Sequence, residues 1–178
     1  LSPSEWSTLS EDDLQQEFVK YIMYGGGAHL GFIRQYLVED ACSGIRDRVD
    51  KIILALIGRI DDGVGERAVR ICSDLKLRGA KEKILQALPK VESLYEEMKS
   101  ATGLDMFGIK LQYLLEFDQA IINLEIKEAF SFIEKQLGPL NSPTPPPVTK
   151  EYFLFFIAKK AFDALSFKAP ELAKKYKK

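Results

Sequence analysis

The chain has 178 residues, is 46% hydrophobic and 29% charged, and carries a formal net charge of −1. That length allows one domain of ordinary size, burying roughly 70% of the surface of its unfolded chain, so neither a disulfide nor a structural metal is needed to hold it. No apolar run approaches the roughly 18 to 20 residues needed to cross a bilayer.

The charge is unevenly spread. Residues 149–178 hold eight lysines against Glu151, Asp163 and Glu171, a net +5, which leaves −6 for residues 1–148. An acidic body with a short basic tail argues against nucleic acid, because phosphate binding calls for a broad basic surface. Leu1 in place of a methionine reads as the start of a processed chain or of an excised piece.

In chain order the signals are helical. Ser10 stands three residues before Asp13, a capping-box-like start, and Leu14, Phe18, Tyr21 and Ile22 follow at helical spacing. GGGAH, residues 25–29, should stop or bend that helix, since each glycine costs a helix interior roughly 1 kcal/mol relative to alanine. The chain resumes as LGFIRQYLVEDAC. Ile45, Val49, Ile52, Ile53, Leu56 and Ile60 then make the clearest apolar stripe, with Arg46, Asp47, Arg48, Asp50 and Lys51 on other faces.

DDGVG, residues 61–65, is a turn, after which Val64, Ala68, Ile71, Cys72 and Leu75 form a second stripe. Beyond Gly79 come Ile84, Leu88, Val91, Tyr95 and Met98, with Pro89 predicting a kink or a fresh helix start. Residues 104–137 contain no proline and, if wholly helical, span about 50 Å. Their apolar positions (Phe107, Leu111, Leu114, Phe117, Ile121, Leu124, Phe130, Ile133) fall on most faces, as on a central helix, and Gly138 and Pro139 end it. The fold class read from this pattern is all-α: an up-down four-helix bundle over residues 1–137, a Pro-rich linker over 138–148, and a C-terminal helical arm over 149–178. A HEAT-like helical interaction module is the rival, since residues 51–75 resemble one such hairpin without a second copy at the required period.

The linker holds five prolines, Pro139, Pro143, Pro145, Pro146 and Pro147, and should be extended and stiff. Thr149 can cap a helix starting at Lys150, in which Leu154, Ile157, Ala158, Ala161 and Leu165 line one face, broadened by Phe153, Phe156 and Phe162. Lys159, Lys160 and Asp163 take the polar face, and Pro170 interrupts before KKYKK. Either this helix folds back so that its aromatics are core, or it docks in a groove of a larger protein complex, with an anionic membrane surface as the alternative partner. The docking reading names Phe153, Phe156, Ile157, Lys159, Lys160, Phe162, Leu165, Lys174, Lys175, Lys177 and Lys178 as the contact set.

No motif names a reaction. His29, the lone histidine, follows GGG, but GxxxxGK[ST] is absent and a helix rather than a strand precedes the glycines, so no phosphate or dinucleotide cofactor is expected. One histidine and two distant cysteines, Cys42 and Cys72, build no zinc site; the cysteines read as buried free thiols or as a bridge implying an oxidising compartment. Asp61 with Asp62, and Glu11 with Asp12 and Asp13, read as helix-start residues rather than metal ligands. Asp118 and Glu125, seven apart on the central helix, share a face and read as bundle-edge residues; an enzyme would need them, with Lys110, gathered in a pocket. LSPSEW suggests a globin start, but the only histidine lies too early for a proximal ligand. The expectation is a non-enzymatic docking or scaffold subunit.

In layout, the helical passes from Ser10 to Leu137 and the segment GPLNSPTPPPVT resemble the extrinsic photosystem II subunits of the PsbQ-like group. The proline segment here follows the bundle, whereas in the plant members it precedes it. The resemblance implies a non-catalytic role, stabilising the lumenal face of the oxygen-evolving assembly in the chloroplast thylakoid, peripheral to the membrane. It assigns no site residue.

Overall fold

Short polar side chains set where the helices begin. Asp13 donates its backbone N–H to Ser10 Oγ at 3.2 Å, and that hydroxyl donates in turn to Asp13 Oδ2 at 2.7 Å. An orphan amide is thereby satisfied, and α1 (Glu11–Tyr24) starts at the next residue after Ser10. The computed structural model describes residues 3–24 and 45–176, and all regular structure among them is helical. The GGGAH segment, His29, Cys42, Lys177 and Lys178 lie outside the described residues.

The chain divides into two compact units, residues 1–80 and 81–178. In the first, α2 (Arg46–Leu56) packs against α3 (Val64–Asp74), and α1 packs on both. The stripe expected over 45–60 is buried at every position, and Leu14, Phe18 and Ile22 bury the inner face of α1. Trp6 closes this core, edge-on to Phe18 and Tyr21 with ring centroids 5.9 and 5.5 Å away. Gly63 enters α3 at φ +77°, where a Cβ would stand 3.3 Å from Arg67 Nη1, so this turn has a specific need for glycine.

The second unit is built from α4 (Ala80–Ser100), α5 (Ile109–Asn123), α6 (Phe130–Gln136), α7 (Lys150–Lys168) and the single turn α8 (Pro170–Ala173). α4 runs through Pro89 without restarting there. The 34 residues expected as one long helix are broken: 3₁₀ turns cover Asp105–Phe107 and Lys127–Ala129, and α5 ends at Asn123. The break is a Schellman cap, in which Ile126 N–H bonds to Ile121 O at 2.9 Å and Glu125 N–H to Ile122 O at 3.1 Å, with Glu125 left-handed at φ 51°. α5 is nonetheless buried around more than half of its circumference.

α7 lies against α5, α6 and the 3₁₀ turn Gly138–Asn141. Residues 149–176, set apart by the sequence as an arm, therefore sit within the second unit. The linker turns back rather than holding the helix away, with Val148 at φ 60° just before the cap. Thr149 caps α7 as expected: its hydroxyl accepts from Tyr152 N–H at 3.1 Å and donates to Pro146 O at 2.8 Å.

Candidate functional site

Amphipathic spacing divides α7 into two sides. Ile157, Ala158, Ala161 and Leu165 are buried against the chain's own helices. Ile157 and Leu165, expected as anchors for a partner, are thus occupied internally. Phe153, Phe156 and Phe162 are half-buried. Phe153 stacks on Phe107 at 5.1 Å between ring centroids, and Lys160 Nζ stands 5.4 Å from the centre of the Phe156 ring.

The outer side is basic. Lys159, Lys160, Lys168, Lys174 and Lys175 are all exposed, and Lys174 pairs with Glu171 at 2.6 Å. Phe167 is 83% exposed, with Lys168 Nζ 6.0 Å from its ring centre, and the exposed acids Asp163 and Glu171 stand four residues before and after it. The following basic turn is tied down, because Tyr176 Oη donates to Glu134 Oε2 on α6 at 2.8 Å. Lys150 Nζ donates to Lys99 O at the C-terminal end of α4, where a cation is favoured. Sequence reading missed Phe167, which falls off the three-and-four stripe through Ile157 and Leu165; its adjacency to Lys168 was the available signal.

A second feature lies inside the same unit. Asp118 does not sit at an edge: it is 3% exposed, in the middle of α5. Gln136, on α6, is fully buried and donates from Nε2 to Asp118 Oδ1 at 2.9 Å. Burial pushes the Asp118 carboxyl up to about 8, and the bond from Gln136 offsets only part of that. The Tyr95 hydroxyl is pushed up to about 12, first by burial and then by the neighbouring carboxylate charge of Asp118. Glu125 does not join Asp118 on a shared face, because the helix ends before it and its side chain is exposed. Lys110 is not among the residues that line the small cavity at Asp118.

Cys72 is a buried free thiol whose Sγ–H donates to Val69 O at 3.2 Å, and burial pushes it up to about 12. Asp62 works as a turn residue, accepting from Val64 N–H at 3.1 Å and pairing with Arg59. Glu11 pairs with Arg48. Among the described residues no group of acidic, histidine and cysteine side chains could hold a metal ion, and no helix is long and apolar enough to cross a membrane.

No protein-family model, curated protein or solved structure matches this chain.

Proposed function

We propose that the protein is a non-catalytic, all-helical docking subunit that meets a larger assembly through the outer side of α7 and the basic turn after it. The supporting observation is Phe167: a large aromatic 83% exposed beside Lys168, in a segment that also exposes Lys159, Lys160, Lys174 and Lys175. Scattered exposed apolar residues need no explanation. An exposed aromatic beside a lysine, on a well-anchored helix that carries further exposed lysines, has the composition of an interface anchor with a steering rim. The matching partner surface is acidic, with an apolar socket for one ring.

In its most concrete form, which rests on the layout shared with the PsbQ-like subunits, the assembly is the lumenal side of photosystem II. The finer architecture, an up-down bundle of four passes over residues 10–137, belongs to the same proposal and is supported by the short turns that follow α2 and α3.

Deleting everything after Leu137 would not test this reading, since it would strip Ile157 and Leu165 from the core. The informative variant combines Phe167→Ser, Lys174→Glu and Lys175→Glu, all at exposed positions. Affinity purification with the intact chain should recover one large assembly that the triple variant loses, while the two give the same circular dichroism. Recovery unchanged by the variant would overturn the reading. Binding of the intact chain to phosphatidylserine vesicles, without any protein partner, would transfer it to an anionic lipid surface.

A further inference from the structure

The Asp118–Gln136 pair is unusual in what it leaves unpaired. Gln136 Nε2 and Asp118 Oδ1 satisfy each other at 2.9 Å, yet Asp118 Oδ2 and Gln136 Oε1 are both buried without a hydrogen-bond partner. With Asp118 ionised, both remaining oxygens are acceptors, and an acceptor cannot satisfy an acceptor. Such an arrangement would bury a charge and two bare lone-pair groups, with the apolar side chains of Ile122 and Ala161 beside Asp118, which is costly. A single proton on Oδ2 removes the charge and creates a donor. A carboxylic acid and a primary amide each present one donor and one acceptor side by side, so the two can close a ring of two hydrogen bonds.

We propose that Asp118 is held as a neutral carboxylic acid, its Oδ2–H donated to Gln136 Oε1, and that loss of this proton is a pH-sensitive switch that loosens the packing of α5, α6 and α7.

The buried groups around Asp118 favour the neutral form. α4 contributes the buried Tyr95, a neutral hydroxyl at physiological pH, and α6 contributes the uncharged amide of Gln136. From α7 come Ala161 and Ala164, which with Asp118 and Ile122 line a cavity of about 20 Å³. Lys160 and Gln119 also line it but are exposed; Lys160 lies over Phe156, and Gln119 donates to Asn123 at 2.9 Å. Among the described residues no basic group pairs with Asp118. Burial raises its pKa from 3.8 to about 8, so the folded chain holds a proton that the unfolded chain has released. A raised folded value gives stability that is complete below about pH 4 and is lost progressively as pH rises to about 8.

Two measurements on the full chain test this. The side-chain carboxyl carbon of Asp118, followed by ¹³C NMR and assigned with Asp118→Asn, should titrate near pH 8. Hydrogen-exchange protection in α5, α6 and α7, corrected for intrinsic exchange, should fall by up to about tenfold per pH unit on approaching pH 8. In Asp118→Asn, whose amide can make the same ring without titrating, that fall should flatten. A carboxyl midpoint below pH 5 in the wild-type chain would overturn the proposal whether or not the variant folds, as would protection that does not change with pH.

Discussion

Phe153 lies flat against Phe107, with ring centroids 5.1 Å apart and planes 19° from parallel. One ring belongs to α7 and the other to the 3₁₀ turn that leads into α5, so the stack fastens the post-proline helix to its own unit. Phe107 is buried while Phe153 is half-buried. Phe107→Ala should therefore cost about 3 kcal/mol or more, with a smaller loss for Phe153→Ala. A double-mutant cycle by urea denaturation should return a coupling of about 0.5–1.5 kcal/mol; a coupling of zero would mean that the rings do not meet in solution.

Thr149 uses one hydroxyl for two bonds, accepting from Tyr152 N–H and donating to Pro146 O. Thr149→Ser keeps both and should be close to neutral. Thr149→Val keeps the shape and loses both, at a cost of about 1–2 kcal/mol. Thermal unfolding of the pair decides it: equal melting temperatures would show that the cap contributes nothing.

These caps were legible because they are local. Ser10 with Asp13, Thr149 before Lys150, and the stripe from Ile45 to Ile60 each carry their whole physical reason within one or two helical turns. The break at Glu125 was not legible, because left-handed caps are usually announced by glycine and this one is made by a glutamate. The position of α7 was hidden for another reason. A proline run tells how stiff a segment is, but the backbone at Val148 and the surface under Ile157 decide where it leads. Gln136 gave no sign of burial, since its partner Asp118 is 18 residues away and on a different helix. For Phe167 the sequence offered only its place off the stripe and its neighbour Lys168, and the difference in burial from Phe153, Phe156 and Phe162 sets it apart.

Glu125 holds φ 51° while capping α5, a conformation that costs a residue with a Cβ roughly 1–2 kcal/mol. Glycine adopts it freely but loses more chain entropy on folding, so the two effects partly cancel. Glu125→Gly should stabilise the chain by about 0.5–1 kcal/mol, seen as a higher urea midpoint with an unchanged slope. Destabilisation would indicate that the helix does not end in this cap.

Cys72 should be chemically silent while the chain is folded. The thiolate is the reactive form, and burial raises this thiol from 9.0 to about 12, which lowers the thiolate fraction at pH 8 by on the order of 10³. Iodoacetamide labelling, read at the Cys72 peptide by mass spectrometry, should be slower in the native chain by at least that factor than in urea. Because the folded value is the higher one, the thiol leaves stability untouched below about pH 9 and reduces it as pH climbs further. Native labelling at the rate of an unfolded thiol would place Cys72 outside the core.

Leu165 and Phe167 are two residues apart on α7 yet face opposite environments, one fully buried and the other 83% exposed. Helix geometry turns successive residues by about 100°, so this short step is enough to carry a side chain from core to solvent. Leu165→Ala should cost about 2–5 kcal/mol, because it opens a cavity among α5, α6 and α7. Phe167→Ser should change stability by no more than about 0.5 kcal/mol, since the ring is already in water. On partner binding the order reverses: at a temperature where both variants are folded, Leu165→Ala should bind as the wild type does, and Phe167→Ser should weaken binding by roughly tenfold or more. Calorimetric melting and a pull-down of the assembly at one fixed protein concentration separate the two effects. If Phe167→Ser unfolded the chain, or if Leu165→Ala alone abolished recovery from a folded state, the assignment of inner and outer sides of α7 would be reversed.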